Sequence, residues 1–270
     1  MSRDHPGGLP EVHDEEPEHS LVVDRIGVSG YRGWVRICGF DGCIDRGVTI
    51  DIYVDLPGNM RGVHVSRFIE VLDEARVKSF DSIYDFLEYL ARESLVKHSY
   101  SRRVEVFVKT SFYPRDTGSI EALFGLKLSR DDRLEYLVSI KLYGLTVCPC
   151  VQKVYSYLEN TRLEDTPSHM QRTMLEITVE SPSRINLEEL IRIGLDSFSA
   201  PLKSYLKRYD EYLLVKNALK KPRFVEDVLR SVIVELMNRF NSGKVRFRVR
   251  AVSEESIHPY NVYGEINIES

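Results

Sequence analysis

Cys148-Pro149-Cys150 is the segment of the chain with the most chemical character. It falls where the apolar run Leu134 to Val147 ends and a helical pattern, Val151 to Leu158, begins. At a helix N-terminus the unpaired N–H groups and the helix dipole favour the thiolate, the form of cysteine that binds metal. Two small core cysteines would produce the same letters. His169 follows in Pro167-Ser-His-Met-Gln-Arg172, a polar loop that could present a ring nitrogen or merely a solvated histidine. Cysteine with histidine suits zinc or iron(II), and a set of two or three such ligands leaves an open, catalytic position.

Carboxylates and cations supply the rest. Glu211 closes the charged run Lys207-Arg-Tyr-Asp-Glu211, a type of run that usually marks a solvated helix face. Glu226 stands among Phe224, Val225, Val228 and Leu229 at the start of a helical pattern, and a carboxylate held there can accept two N–H donors from guanine. His258 precedes Pro259, which favours an extended backbone, and lies three residues after Glu255. The two could form an acid/base pair or belong to an ordinary polar hairpin loop. Arg61, His64, Ser66 and Arg67 cluster where a loop opens a helix, which suits either an anion site or a capped helix with surface arginines. Cys38 and Cys43 flank a Gly-Phe-Asp-Gly turn; their spacing is weak evidence for a metal, and they are expected to be structural.

The elements that must hold these residues form two similar halves. In the first, Val35 to Phe40 and Val48 to Val54 are expected strands, the latter alternating apolar and polar residues. A helix capped by Ser66 would bury Phe68, Ile69, Leu72 and Ala75, and one capped by Ser79 or Asp81 would bury Ile83, Phe86, Leu87, Leu90 and Leu95. Strands over 104–108, 122–128 and 134–145 follow. In the second half a strand over 174–179 precedes a helix from Leu187 to Phe198, opened by Asn186 and Glu189 as a capping box. An amphipathic helix from Phe224 to Phe240, carrying Val234 on its apolar face, leads to strands over 245–251 and 260–268. Antiparallel sheets with paired helices on one face make an α+β fold.

Composition sets the boundaries. Of 270 residues, 43% are hydrophobic and 29% charged, which suits one large domain or two of roughly 130 residues. A net charge of −4 gives no bulk argument for a nucleic-acid or membrane surface. No apolar run reaches the ~18 residues of a membrane-spanning helix. Residues 1–20 are polar, lack the apolar core of a signal peptide, and are expected to form a flexible lead. A soluble, cytoplasmic protein is expected, with a first unit over 21–147 and a second over 148–270. Four cysteines do not make a disulfide framework. Glutamine occurs twice among abundant charged residues, a pattern that leans towards a thermophilic source.

In order along the chain, Arg61-Gly-Val-His-Val-Ser-Arg-Phe68, Gly144-Leu-Thr-Val-Cys-Pro-Cys150, His169-Met-Gln-Arg172, Lys207-Arg-Tyr-Asp-Glu211, Phe224-Val-Glu-Asp227 and Glu255-Ser-Ile-His-Pro259 resemble the motif set of the type IB and archaeal type IV GTP cyclohydrolases. The resemblance spans nearly the whole chain from about Leu9. It implies the tunnelling fold, here two tandem ββαα(ββ) units, and a homo-oligomer, dimer or tetramer, because active sites in this fold form between units. It implies GTP as substrate and a divalent metal, iron(II) favoured over manganese or zinc. By the same resemblance Cys148, His169 and Glu211 hold the metal, Cys150, His258 and Glu255 are catalytic, and Glu226 anchors guanine. Arg61, His64, Ser66 and Arg67 would face the ribose or triphosphate.

The 21 positions from Cys148 to His169 favour type IV, which gives 7,8-dihydroneopterin 2′,3′-cyclic phosphate. Type IB, giving the triphosphate, is the alternative. Glu11-Val-His13 departs from the Asp-Val-Gln expected there, without touching a proposed role. Two further alternatives are a nitrile reductase of deazaguanine metabolism, which would need a nicotinamide cofactor, and a non-catalytic purine-binding protein with a structural metal.

Overall fold

The computed structural model describes residues 11–39, 42–114, 117–240 and 243–269. Residues 1–10 of the expected lead and Phe40 of the first expected strand lie outside them. The chain divides into two compact units, Met1–Val108 with Gly125–Leu134, and Lys109–Phe124 with Glu135–Ser270.

The first unit opens with β1 (Val23–Gly39) and β2 (Gly42–Leu56), a long antiparallel hairpin. Alternation buries Val48, Ile50, Ile52 and Val54 of β2, the face that period 2 selects. β1 is much longer than the six residues the sequence suggests. Its N-terminal part is broken by a register shift at Val28/Tyr31, where Gly30 adopts φ +72°. The shift interrupts the alternation on which strand recognition depends. Asp51 steadies it, accepting from Gly30 N–H at 2.6 Å and Ser29 Oγ at 2.8 Å. Cys38 and Cys43 face each other across the hairpin and form a disulfide.

Helices α1 (Val65–Arg76) and α2 (Ile83–Lys97) follow, with the short β3 (Ser79–Phe80) between them and parallel to β1. α1 buries Phe68, Val71, Leu72 and Ala75 and packs on α2. Ile69 is exposed, off the stripe where the sequence puts it. The helix starts two residues earlier than a Ser66 cap requires: His64 is the N-cap, without a side-chain cap bond. α2 is capped by Ser82, not by Ser79 or Asp81; its Oγ accepts from Asp85 N–H at 3.2 Å. Ser79 is instead taken up by the β3 pairing.

The division between the units passes through β4 (Arg103–Phe112) and β5 (Ile120–Ser129). The second unit continues with β6 (Leu134–Val147), α3 (Pro149–Glu159), β7 (Met170–Ser181), α4 (Leu187–Ser197) and the two-residue β8 (Ala200–Pro201). Then come α5 (Arg208–Lys220), α6 (Val225–Arg239), β9 (Arg246–Glu254) and β10 (Val262–Glu269). The strand order β6-β7-β9-β10 is antiparallel throughout, and β8 pairs with β6. α4 is capped by Asn186, which accepts from Glu189 N–H at 3.1 Å, and it packs on α6. α6 buries Val225, Val228, Leu229, Val232, Ile233 and Leu236 and packs on β9 and β10. Val234 is exposed.

Gly144 in β6 shows how tightly the approach to the site is packed. A Cβ there would lie 2.1 Å from Cγ of Phe198, whose ring is 1% exposed. Gly144→Ala is therefore expected to lower stability by about 1–3 kcal/mol through overpacking, read as a fall in the midpoint of chemical denaturation.

Candidate active site

Three strand ends meet at one end of the second-unit sheet. The β6/β7 register pairs Val147 with Met170, so Cys148 and His169 are the next residues on either side. Cys148 N–H donates to the His169 carbonyl at 3.3 Å, and Ser168 Oγ donates to the Cys148 carbonyl at 2.7 Å. The β7/β9 register pairs Arg172 with Glu254, which brings the chain leaving β9, with Glu255 and His258, to that same end.

Pro149 opens α3, where its missing N–H costs nothing and its fixed φ suits the first turn. Cys148 is thereby the extended N-cap residue, half-buried, and Cys150 lies exposed in the first turn. Cys148 makes no side-chain cap bond, so neither free thiol is engaged in capping the helix. The His169 ring is held by its second nitrogen: Nδ1–H donates to Gln171 Oε1 at 3.0 Å, and Gln171 is 8% exposed. That bond fixes the tautomer and leaves Nε2 free to accept a metal. Gln171→Leu is expected to weaken metal binding about 10–100-fold while the fold persists, as metal titration followed by calorimetry would show.

α5 has no counterpart among the helices read from periodicity, and its apolar stripe is narrow. Leu214 and Leu219 pack with buried Ala218 against Val147, Leu145, Met170 and Ala200. Glu211, Leu214 and Ala218 follow one another at i, i+3 and i+7 on one face of α5, and Glu211, in its first turn, is exposed. Gln152, fully buried on α3, ties the two helices together by donating from Nε2 to the Leu219 carbonyl at 2.9 Å. Arg223 N–H donates to the Val147 carbonyl at 3.0 Å and draws the start of α6 to the same place. Asp227 closes that start, accepting from Phe224 N–H at 3.0 Å, and leaves Glu226 exposed in the first turn. Ser253 Oγ donates to Glu255 Oε1 at 2.8 Å; His258 is exposed and stacks on Tyr260 with centroids 5.0 Å apart.

The remaining residues of interest lie in the first unit. Arg61 Nη1 pairs with Glu15 Oε2 at 2.5 Å, and Arg67 Nη1 donates to the Lys97 carbonyl at 2.9 Å, at the end of α2. Ser66 is exposed in the first turn of α1. The His64 ring turns towards residues 11–14: its Nε2 lies 3.7 Å from Glu11 Oε1 and 4.0 Å from Asp14 Oδ1, and it stacks on His13 at 4.8 Å. Glu11 Oε1 accepts from His13 Nδ1 at 2.6 Å, and this bond holds the Glu11 carboxyl below its ordinary pKa. Among the described residues, Glu11, His13 and His64 are the one group of three or more such side chains whose donor atoms lie within 4.8 Å of one another. The sequence signal for Glu11 and His13 was their departure from Asp-Val-Gln.

The family model described as type I GTP cyclohydrolase folE2 matches residues 9–264. The chain belongs to this family. It is a GTP cyclohydrolase, an enzyme acting on GTP. Relatives carry both names used in the family. The GTP cyclohydrolase MptA of Aeropyrum pernix is 31% identical, over 93% of each chain. The GTP cyclohydrolase FolE2 of Kosmotoga olearia is 30% identical over 95% of this chain and 97% of its own, and the FolE2 of a Geobacter species is 33% identical over 96% and 94%. Among solved structures, the uricase of Arthrobacter globiformis is similar with a TM-score of 0.53 at 12% identity, covering 91% of this chain and 92% of its own. A uricase from Bacillus fastidious gives 0.51 at 10%, covering 94% of each. At such identities the cyclohydrolase shares the uricases' fold and nothing further is implied. No helix among the described residues is long and apolar enough to cross a membrane.

Proposed function

We propose that the enzyme is a metal-dependent cyclohydrolase of the archaeal kind. It would hydrolyse GTP at guanine C8 with release of formate and give 7,8-dihydroneopterin 2′,3′-cyclic phosphate and diphosphate, an entry to pterin synthesis. The observation that supports the metal is the main-chain pairing that sets Cys148 opposite His169, with the imidazole Nδ1 already engaged by Gln171. Cys148, His169 and Glu211 would hold the ion, with iron(II) favoured over manganese or zinc. The chemistry a bound divalent ion supplies is activation of water at neutral pH.

The chain's own residues do the rest. Glu226 accepts two N–H donors of guanine and sets the ring in place. His258 or Cys150 holds a proton at N7, which makes C8 more electrophilic, and Glu255 pairs with His258 as acid and base. A second hydrolysis releases formate. Of the four residues expected to face the ribose or triphosphate, Arg61, Ser66 and Arg67 keep that role here, which requires Arg61 and Arg67 to exchange their present partners, while the His64 ring is turned towards Glu11 and Asp14. The tandem tunnelling-fold units and a homo-oligomer belong to the same proposal, and the likeness to uricases supports the fold.

The type IB product, 7,8-dihydroneopterin triphosphate, is the second reading, favoured by the FolE2 names among the relatives. Anaerobic incubation with GTP and iron(II), followed by mass spectrometry, separates the two. A cyclic phosphate with diphosphate is expected; an intact triphosphate side chain would assign type IB.

A further inference from the structure

We propose that the first unit holds a second site for a divalent transition metal, formed by Glu11, His13 and His64 with Asp14 beside them. Three observations converge there. The donor atoms of Glu11, His13 and His64 lie within 4.8 Å of one another, and two imidazoles with a carboxylate are a donor set for zinc, manganese or iron(II). The His64 side chain is 11% exposed, yet its ring has no hydrogen bond. Nδ1 is buried without a partner, and Nε2 lies 3.7 Å and 4.0 Å from its nearest carboxylate oxygens. Nε2 faces two carboxylate oxygens beyond hydrogen-bond reach, so it is the ring atom that would share a cation with them.

The third observation is that the backbone holds the donors in place before any ion arrives. Arg61 and Gly62 N–H both donate to the His13 carbonyl at 3.1 Å, and Arg61 N–H also reaches the Glu15 carbonyl at 3.0 Å. Gly62 allows this approach, since a Cβ there would lie 3.0 Å from His13 Cδ2. His64 occupies an N-cap position without using its side chain as a cap, so its ring is available. Closing the donors to the ~2.0–2.2 Å bonds of such a metal requires the His64 ring and the Glu11 carboxylate to approach by about 1 Å.

The test uses the full chain with Cys148→Ser, Cys150→Ser and His169→Ala as background, so that the proposed catalytic metal site loses its thiols and imidazole and the result does not depend on it. Metal-stripped protein is titrated with Zn2+ by calorimetry, and bound zinc is counted after gel filtration. The background is expected to bind one Zn2+ per chain tightly. Adding His13→Ala, or the isosteric Glu11→Gln, should weaken that binding at least about tenfold, with metal-free melting temperatures unchanged. A background that binds no zinc, or variants that bind it as tightly as the background, would overturn the proposal.

Discussion

Cys148→Ser is expected to remove the metal from the candidate active site and to lower formate release by more than about 100-fold, since changes one shell further out already cost 10–100-fold. A serine hydroxyl does not ionise near neutral pH and is a poor ligand for a borderline-soft ion. The fold should not register the change. Both hydrogen bonds that place residue 148 use its main chain, to the His169 carbonyl and from Ser168 Oγ. The side chain is half-buried and nearly isosteric with serine, so the metal-free melting temperature should stay within the small range of surface substitutions. Metal analysis and a formate assay on the same preparation check both halves. Intact metal content with lost activity would move Cys148 from ligand to another role.

The second large effect is expected at His258. His258→Ala should lower kcat by about 10²–10⁴-fold, the usual contribution of a positioned acid or base, and leave KM for GTP within a few fold. His258 lies exposed in the segment between β9 and β10, where its ring stacks on Tyr260, so the core does not depend on it. Metal content should be unchanged, which separates this loss from that of Cys148. Steady-state kinetics with metal analysis decide it. A protein that bound purine without chemistry would show no effect in any assay.

Much of this arrangement was legible in the letters. Cys-Pro-Cys at a strand-to-helix junction is visible because proline marks the first turn and the apolar run marks the strand. Strong stripes such as that of α6, with six buried apolar residues, declare themselves through the 3.6-residue period. α5 did not, because a few apolar contacts anchor it and its other faces are charged or tyrosine-rich. Its helical state is set by packing on Val147 and Met170, which no local window contains. The first half of β1 was hidden by the irregularity at Gly30. The caps at Ser66 and Ser79 failed for a similar reason: several Ser and Asp residues near a helix start are locally equivalent, and pairing of β3 decides between them. What sequence could not supply was the partner of His64, because Glu11 and His13 lie some 50 positions away.

The most direct test of the account follows formate. Anaerobically purified enzyme is stripped of metal, reloaded with iron(II) and incubated with GTP, alongside the stripped protein and iron-loaded Cys148→Ser. The account predicts one formate per GTP consumed from the reloaded enzyme and none above background from the other two. Formate from the stripped protein, or undiminished formate from Cys148→Ser, would contradict it.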